Sequence, residues 1–326
     1  MSAAMSDDSP DPLNPPEQGY SAGPSAEQEV VQASWLAQSE PAFSPNIFGI
    51  PAPTEPQRPR RIPNLWHVVL FFVLALVLVA AGQLLGVFFL QLSHIFPHRS
   101  FDSLFLLSST DARESIPIQA FSYGLIALVV IPVFTVLWHE PFGEGVHWNS
   151  PTATRRFLLL ALLGLIAGFG ITFLGDYLPM PKNAPITQDM MKSAAGAWMM
   201  LVFGLTAAPL LEELAFRGFL LPGFINSFRW FADRGAISEQ TAKRAGIPIS
   251  ILLTSAGFAF MHSPQVSHAW GPLVLIGTVS IVLCIVRLAM DSVAAGVVVH
   301  AAYNFTLFAG VLYQTGGFRH LEKLTS

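Results

Sequence analysis

Seven stretches of this chain are each about as long as a lipid bilayer's hydrocarbon core is thick, and nothing else in the sequence restricts the fold as strongly. The apolar runs fall at about 65–93, 118–138, 157–178, 195–222, 247–262, 270–288 and 292–313. A helix needs roughly 20 residues to cross about 30 Å of hydrocarbon. In lipid the chain must satisfy its own backbone N–H and C=O groups, so only helices or closed barrels can span. The runs lack the period-two alternation of barrel strands. The expected fold is therefore all-α, a polytopic transmembrane helical bundle of about seven spans. The first run is long enough to tilt or extend past the bilayer, and the fifth is short. Composition agrees, with only 12% charged residues against about 25% in soluble domains.

Residues 1–60 are of another kind. "MSDDSPDPLNPPEQGYSAGPSAEQ", from residue 5, is rich in Pro, Ser and acids and too poor in apolar groups to order itself. The expectation is a disordered, Pro/Ser-rich cytoplasmic tail over 1–60. A transmembrane helical domain over 61–318 and a short C-terminal tail over 319–326 follow. The run near residue 65 is too long for the h-region of a removable signal peptide. If the N-terminus is inside, the cytoplasmic segments hold Arg58, Arg60, Arg61, Arg155, Arg156, Arg229, Arg234, Lys243, Arg244 and Arg287. The opposite side holds Arg99, Arg113, Lys182, Lys192, Arg319 and Lys323. Ten against six favours a cytoplasmic N-terminus and an external C-terminus. The expected location is an integral one, in a bacterial plasma membrane. A net charge of -4 offers no basic field for nucleic acid. A single cysteine, Cys284, excludes an intrachain disulfide and a multi-Cys metal cage. Its apolar neighbours mark it as a small buried side chain.

Polar groups inside the later runs need explaining. "LLEELAFRGF" at 211–220 places Glu212, Glu213 and Arg217 among Leu, Ala and Phe; "GFAFMHSP" carries Phe258 and His262; "VVVHAAYNF" carries His300 and Asn304. A charge at mid-bilayer costs about 2.5–3.5 kcal/mol on translocon scales. Glu213 and Arg217 are four apart, one helical turn on one face, which suits a charge-assisted pair. Glu212 is rotated by about 100° from Glu213. It has no opposite charge four residues away, since positions 208 and 216 are Ala and Phe. It needs a partner from another helix, or water. Phe258 and His262 are four apart, as are His300 and Asn304, so each helix presents its polar groups in one stripe, as a shared interior site requires.

These three stretches resemble the signature motifs EExxxR, FxxxH and HxxxN of the CPBP family, the CAAX-type intramembrane endopeptidases also called the Abi family. The motifs occur in order on separate expected helices, and the resemblance covers roughly 150–310, with the motifs themselves within about 195–310. It implies an intramembrane peptidase in which Glu212 is general base on a water, His262 helps hold that water, and His300 and Asn304 stabilise the oxyanion. Glu213, Arg217 and Phe258 are then supporting residues. The substrate implied is a membrane-associated peptide or protein, a C-terminally lipidated one among the candidates. No cofactor is implied. Two His and a Glu would suit zinc, but the family's better-understood members resemble metal-free glutamate proteases.

Plainer readings stand beside these. Glu213 and Arg217 could simply tie helices together. His300 and Asn304 could be interhelical glue, and His262, beside Pro264, an interfacial histidine. Pro209 is expected to kink its helix, His268 to lie in a short loop, and Asp291 and Ser292 to cap the last helix. His94 and His98 read as interfacial. "HEPFG" at 139–143 lacks the second His of a zinc-protease helix and reads as a loop. Two other functions remain open at this level. One is a proton-coupled transporter, because intramembrane ionisable groups also mark proton paths. The other is a non-catalytic membrane immunity or scaffold protein.

Overall fold

The computed structural model describes residues 62–93, 95, 100–108, 110–180 and 192–324. The expected tail over 1–60, and His94 and His98, lie outside the described residues. Among these, seven helices are long and apolar enough to cross a membrane, and no strand occurs. We label them α1 (Leu65–Leu92), α2 (Ala112–Trp138), α3 (Phe157–Gly175), α4 (Ala194–Asp233), α5 (Glu239–Met261), α6 (Trp270–Met290) and α7 (Val293–Gln314). The chain is an integral membrane helical bundle.

Three helices are longer than their apolar runs, because polar caps and polar turns carry them past the hydrocarbon. α2 starts at Ala112, where the Asp111 side chain accepts from the Arg113 amide. α5 starts behind Ser238, which accepts from the Thr241 amide. α4 runs on to Asp233, through Pro222 and a turn that reads as polar in the sequence.

α4 is irregular at two prolines. At Leu205 the helix stops, and Thr206 adopts φ -124° and ψ -83°; it resumes at Ala207. Pro209 has no N–H for the carbonyl four residues back, and its ring crowds it. The expected kink is thus a break. Further on, Leu214–Leu220 is π-helical. There the Leu221 amide bonds to the Phe216 carbonyl, five residues back, instead of to that of Arg217. Pro222 follows and has no N–H to donate, so the wider turn settles just ahead of it.

Small residues set how close the spans pack. On α3, a Cβ added to Gly164 would collide with the Val299 carbonyl, and one added to Gly168 with the Thr306 side chain. α3 therefore lies directly on the backbone of α7, in the small-xxx-small manner of membrane helices. Gly82 and Gly86 of α1 meet Ser122 and Ile118 of α2 in the same way. An aromatic cluster ties α1, α2 and α4 together: Phe71 stacks on Phe219 at 4.3 Å, and Phe134 meets Phe219 edge-on at 4.8 Å. Replacing Gly168 with Val is expected to cost about 1–3 kcal/mol by overpacking. A lowered thermal midpoint of the purified protein in detergent, against an unchanged midpoint for Gly170→Val at an open position, checks this.

Candidate active site

The last turn of α4 before the π-helical segment presents Glu212 and Glu213 in different directions, and the two carboxylates have separate surroundings. Glu213 and Arg217 are both fully buried. An Arg217 terminal nitrogen (Nη1) donates to Glu213 Oε1 at 2.9 Å, the pair expected from the spacing. The other (Nη2) donates to the Ser280 carbonyl at 3.0 Å and to Ser280 Oγ at 2.7 Å on α6. Its guanidinium carbon lies 4.7 Å from the centre of the Phe258 ring, a cation–π contact. Glu213 Oε1 also meets His300 Nδ1 of α7 at 2.9 Å. A Cβ on Gly296 would come within 2.6 Å of Glu213 Oε2, so a glycine is what lets the carboxylate lie against α7.

Glu212 faces the two imidazoles. Its Oε2 is 3.8 Å from His262 Nε2 and 3.7 Å from His300 Nε2. Both separations are too long for direct hydrogen bonds. Each ring is held from its far side. His262 Nδ1 lies 2.9 Å from the Phe258 carbonyl; a carbonyl only accepts, so Nδ1 carries a proton, and in the neutral form of the ring Nε2 is an acceptor facing Glu212. His300 Nδ1 faces a carboxylate and likewise donates. Phe258 packs between them, 4.5 Å from the His262 ring and 5.9 Å from that of His300.

Asn304 takes a different partner. Its Nδ2 donates to the Gly204 carbonyl at 2.8 Å, a group left without its helical partner by the break in α4. One amide hydrogen thus caps the upper segment of α4, and the second remains for other use. His268 lies in its expected loop and meets Ser263 Oγ at 2.7 Å. Ser292 caps α7 by accepting from Ala295. Asp291 instead ends α6 in the left-handed region at φ 46°. Cys284 is fully buried.

Several neighbours of the site did not stand out in the sequence. Arg287, counted among the loop charges, is buried in the last turn of α6. It donates to the Arg217 carbonyl at 3.3 Å and to Asp291 at 3.0 Å. The π-helical register is what frees that carbonyl. Partial burial alone would raise the Asp291 carboxyl. Hydrogen bonds and charge from His147 and Arg287 outweigh it and hold the group below the usual carboxylate range. A cavity of about 750 Å³ with a mainly apolar lining lies against the break in α4, its wall including Tyr123, Thr206, Leu210, Leu211 and Val297. Leu211 directly precedes Glu212, and Tyr123 is within electrostatic reach of it. Glu212, His262 and His300 have donor types that suit zinc, but among the described residues no group of three or more His, Cys, Asp or Glu is arranged to hold a metal.

A fully buried carboxylate shared by a guanidinium and an imidazole, beside a second carboxylate facing two imidazoles, defines a membrane-embedded polar centre. Residues 194–306 match the family model described as type II CAAX prenyl endopeptidase, Rce1-like. That segment holds all three motifs, and it places the chain's α4–α7 region with the CPBP/CAAX proteases. No curated protein and no solved structure matches the chain significantly.

Removing Arg217 would leave Glu213 buried with one partner fewer. Breaking a buried pair from one side costs about 3–5 kcal/mol. Arg217→Met is expected to lower the thermal midpoint in detergent sharply, and a further Glu213→Gln change to restore part of it.

Proposed function

We propose that this protein is an intramembrane endopeptidase of the glutamate type that uses no metal ion. The observation that carries this is the position of Glu212, its Oε2 3.7–3.8 Å from the Nε2 atoms of two histidines on two other helices and without a cationic partner on its own helix.

Glu212 and the bare Nε2 of His262 are both acceptors, so a water between them donates one proton to each. That turns its lone pair away from both and towards a substrate carbonyl. Attack transfers the proton to Glu212, the general base, in a step of the kind worth about 10²–10⁴-fold in rate. His300 donates to the developing oxyanion from Nε2. For this the ring must carry a proton on each nitrogen, and Glu213 supplies the counter-charge. With Arg217 the site then holds two carboxylates and two cations, and its net charge is zero. The second amide hydrogen of Asn304 completes the oxyanion donors. Protonated Glu212 returns its proton to the leaving amine.

The substrate is a membrane-associated peptide or protein. The family's substrates are prenylated proteins, and the apolar cavity whose wall includes Leu211, the residue before Glu212, suits a C-terminal lipid chain. The excess of Lys and Arg on the side where α1, α3, α5 and α7 begin supports a cytoplasmic N-terminus.

Glu212→Gln, tested with a prenylated peptide in detergent or nanodiscs, is expected to lose at least 10²-fold in cleavage rate while keeping the wild-type thermal midpoint. Wild-type turnover in that variant would remove Glu212 from the chemistry. His300→Ala is expected to lose about 10²–10³-fold, the effect of deleting one oxyanion donor. A strong chelator is expected to leave the rate unchanged, and loss of activity restored by zinc would replace the metal-free scheme.

A further inference from the structure

At the opposite end of α6 from the loop holding His268, two arginines have no anionic partner among the described residues. Arg155 and Arg156 lie where the short helix Ser150–Arg155 meets α3. Both are exposed, and among the described residues neither lies within ion-pair distance of a carboxylate. A terminal nitrogen of Arg156 donates to the Met290 sulfur at 3.4 Å, and a thioether is a weak acceptor. The acid next to Met290, Asp291, is already engaged by His147 at 2.9 Å and by Arg287 at 3.0 Å. The two guanidiniums, with Thr152, Ala289 and Met290, line a pocket of about 260 Å³.

What adjoins the pocket narrows the ligand. On α3 the chain continues as Phe157, Leu158 and Leu159, all exposed, with Leu158 82% accessible. On α6, Ile285 and Leu288, within a turn or so of Ala289 and Met290, are exposed as well. These are helices that cross the membrane, so those side chains face lipid. A molecule seated here has its head among two cations and a hydroxyl and its body along two apolar helices. Guanidinium is the side chain best matched to phosphate, through paired N–H donors. Basic pockets between membrane helices take anionic lipid headgroups. The same end of the bundle carries Arg229 and Arg234 where α4 finishes, and Lys243 and Arg244 where α5 begins, which matches an anionic leaflet. We infer that this pocket binds the phosphate headgroup of one anionic phospholipid, with its acyl chains along the exposed faces of α3 and α6. The site is separate from the Glu212 cluster and holds whether or not that cluster is a protease.

The test uses the full chain purified in detergent and examined by native mass spectrometry with phosphatidylglycerol, phosphatidylcholine or inorganic phosphate added. The wild type is expected to retain one phosphatidylglycerol at least 10-fold more tightly than phosphatidylcholine, and not to bind phosphate alone. Arg155→Ala/Arg156→Ala is expected to weaken phosphatidylglycerol about 30-fold, from ~1 kcal/mol for each cation near the surface. Its phosphatidylcholine binding is expected to be unchanged, as is its thermal midpoint in phosphatidylcholine nanodiscs, because both side chains are exposed. Equal retention of phosphatidylglycerol by the double variant overturns the proposal. Phosphate binding as tight as that of the lipid also overturns it, since the site would then be for a free anion. Arg155→Lys/Arg156→Lys, which keeps the charge, is expected to retain most of the affinity, and a loss equal to that of the alanine pair counts against a charge-based site.

Discussion

The buried contact of Arg217 with Glu213 is the interaction around which the second half of this chain is organised. Two full charges have been taken out of both water and lipid, which is tolerated only if each is compensated by close and well-aligned partners. Glu213 finds Arg217 on its own helix and His300 on α7, and Arg217 finds Glu213, Ser280 on α6 and the face of Phe258 on α5. Four helices therefore meet at one ion pair. Their mutual positions are fixed by polar contacts, which apolar side chains sliding past one another in lipid could not provide.

The same residues shape the part of the site proposed to be reactive. His300 is held at Nδ1 by Glu213, which aims Nε2 at Glu212, and His262 is held at Nδ1 by the carbonyl of Phe258, which aims its Nε2 at the same oxygen. The backbone irregularities of α4 serve this arrangement. Each lies next to a proline, each exposes a carbonyl, and each carbonyl is satisfied from another helix: Gly204 by Asn304 and Arg217 by Arg287. A helix that is broken and then widened in the bilayer is costly unless such partners exist. Here they come from residues on α6 and α7 that also border the polar centre.

Much of this was legible in the sequence. The seven spans follow from run length, and the Glu213–Arg217 pair from a four-residue spacing. The lack of any cation one turn from Glu212 already required a partner elsewhere. The ends of α2, α4 and α5 lie beyond their apolar runs because capping residues and amphipathic turns extend a helix past the hydrocarbon. The role of Arg287 was hidden because a basic residue near a span's end reads as a loop charge. That Asn304 donates to Gly204 could not be read at all, since it depends on a carbonyl that only the break at Thr206 exposes. The close approach of α3 to α7 did have a local signal, the glycines at 164 and 168, which hydropathy passes over.

What the sequence determined by itself was everything that rests on counting along the chain. Hydrocarbon thickness dictates span length, helical pitch dictates which neighbours share a face, and the three motifs point to a family. Which of two adjacent glutamates is neutralised and which is left facing two imidazoles was decided by the tertiary structure. Both residues have the same local chemistry, and only the packing of α5, α6 and α7 around α4 places a guanidinium and a serine on one side and the Nε2 atoms of two imidazoles on the other.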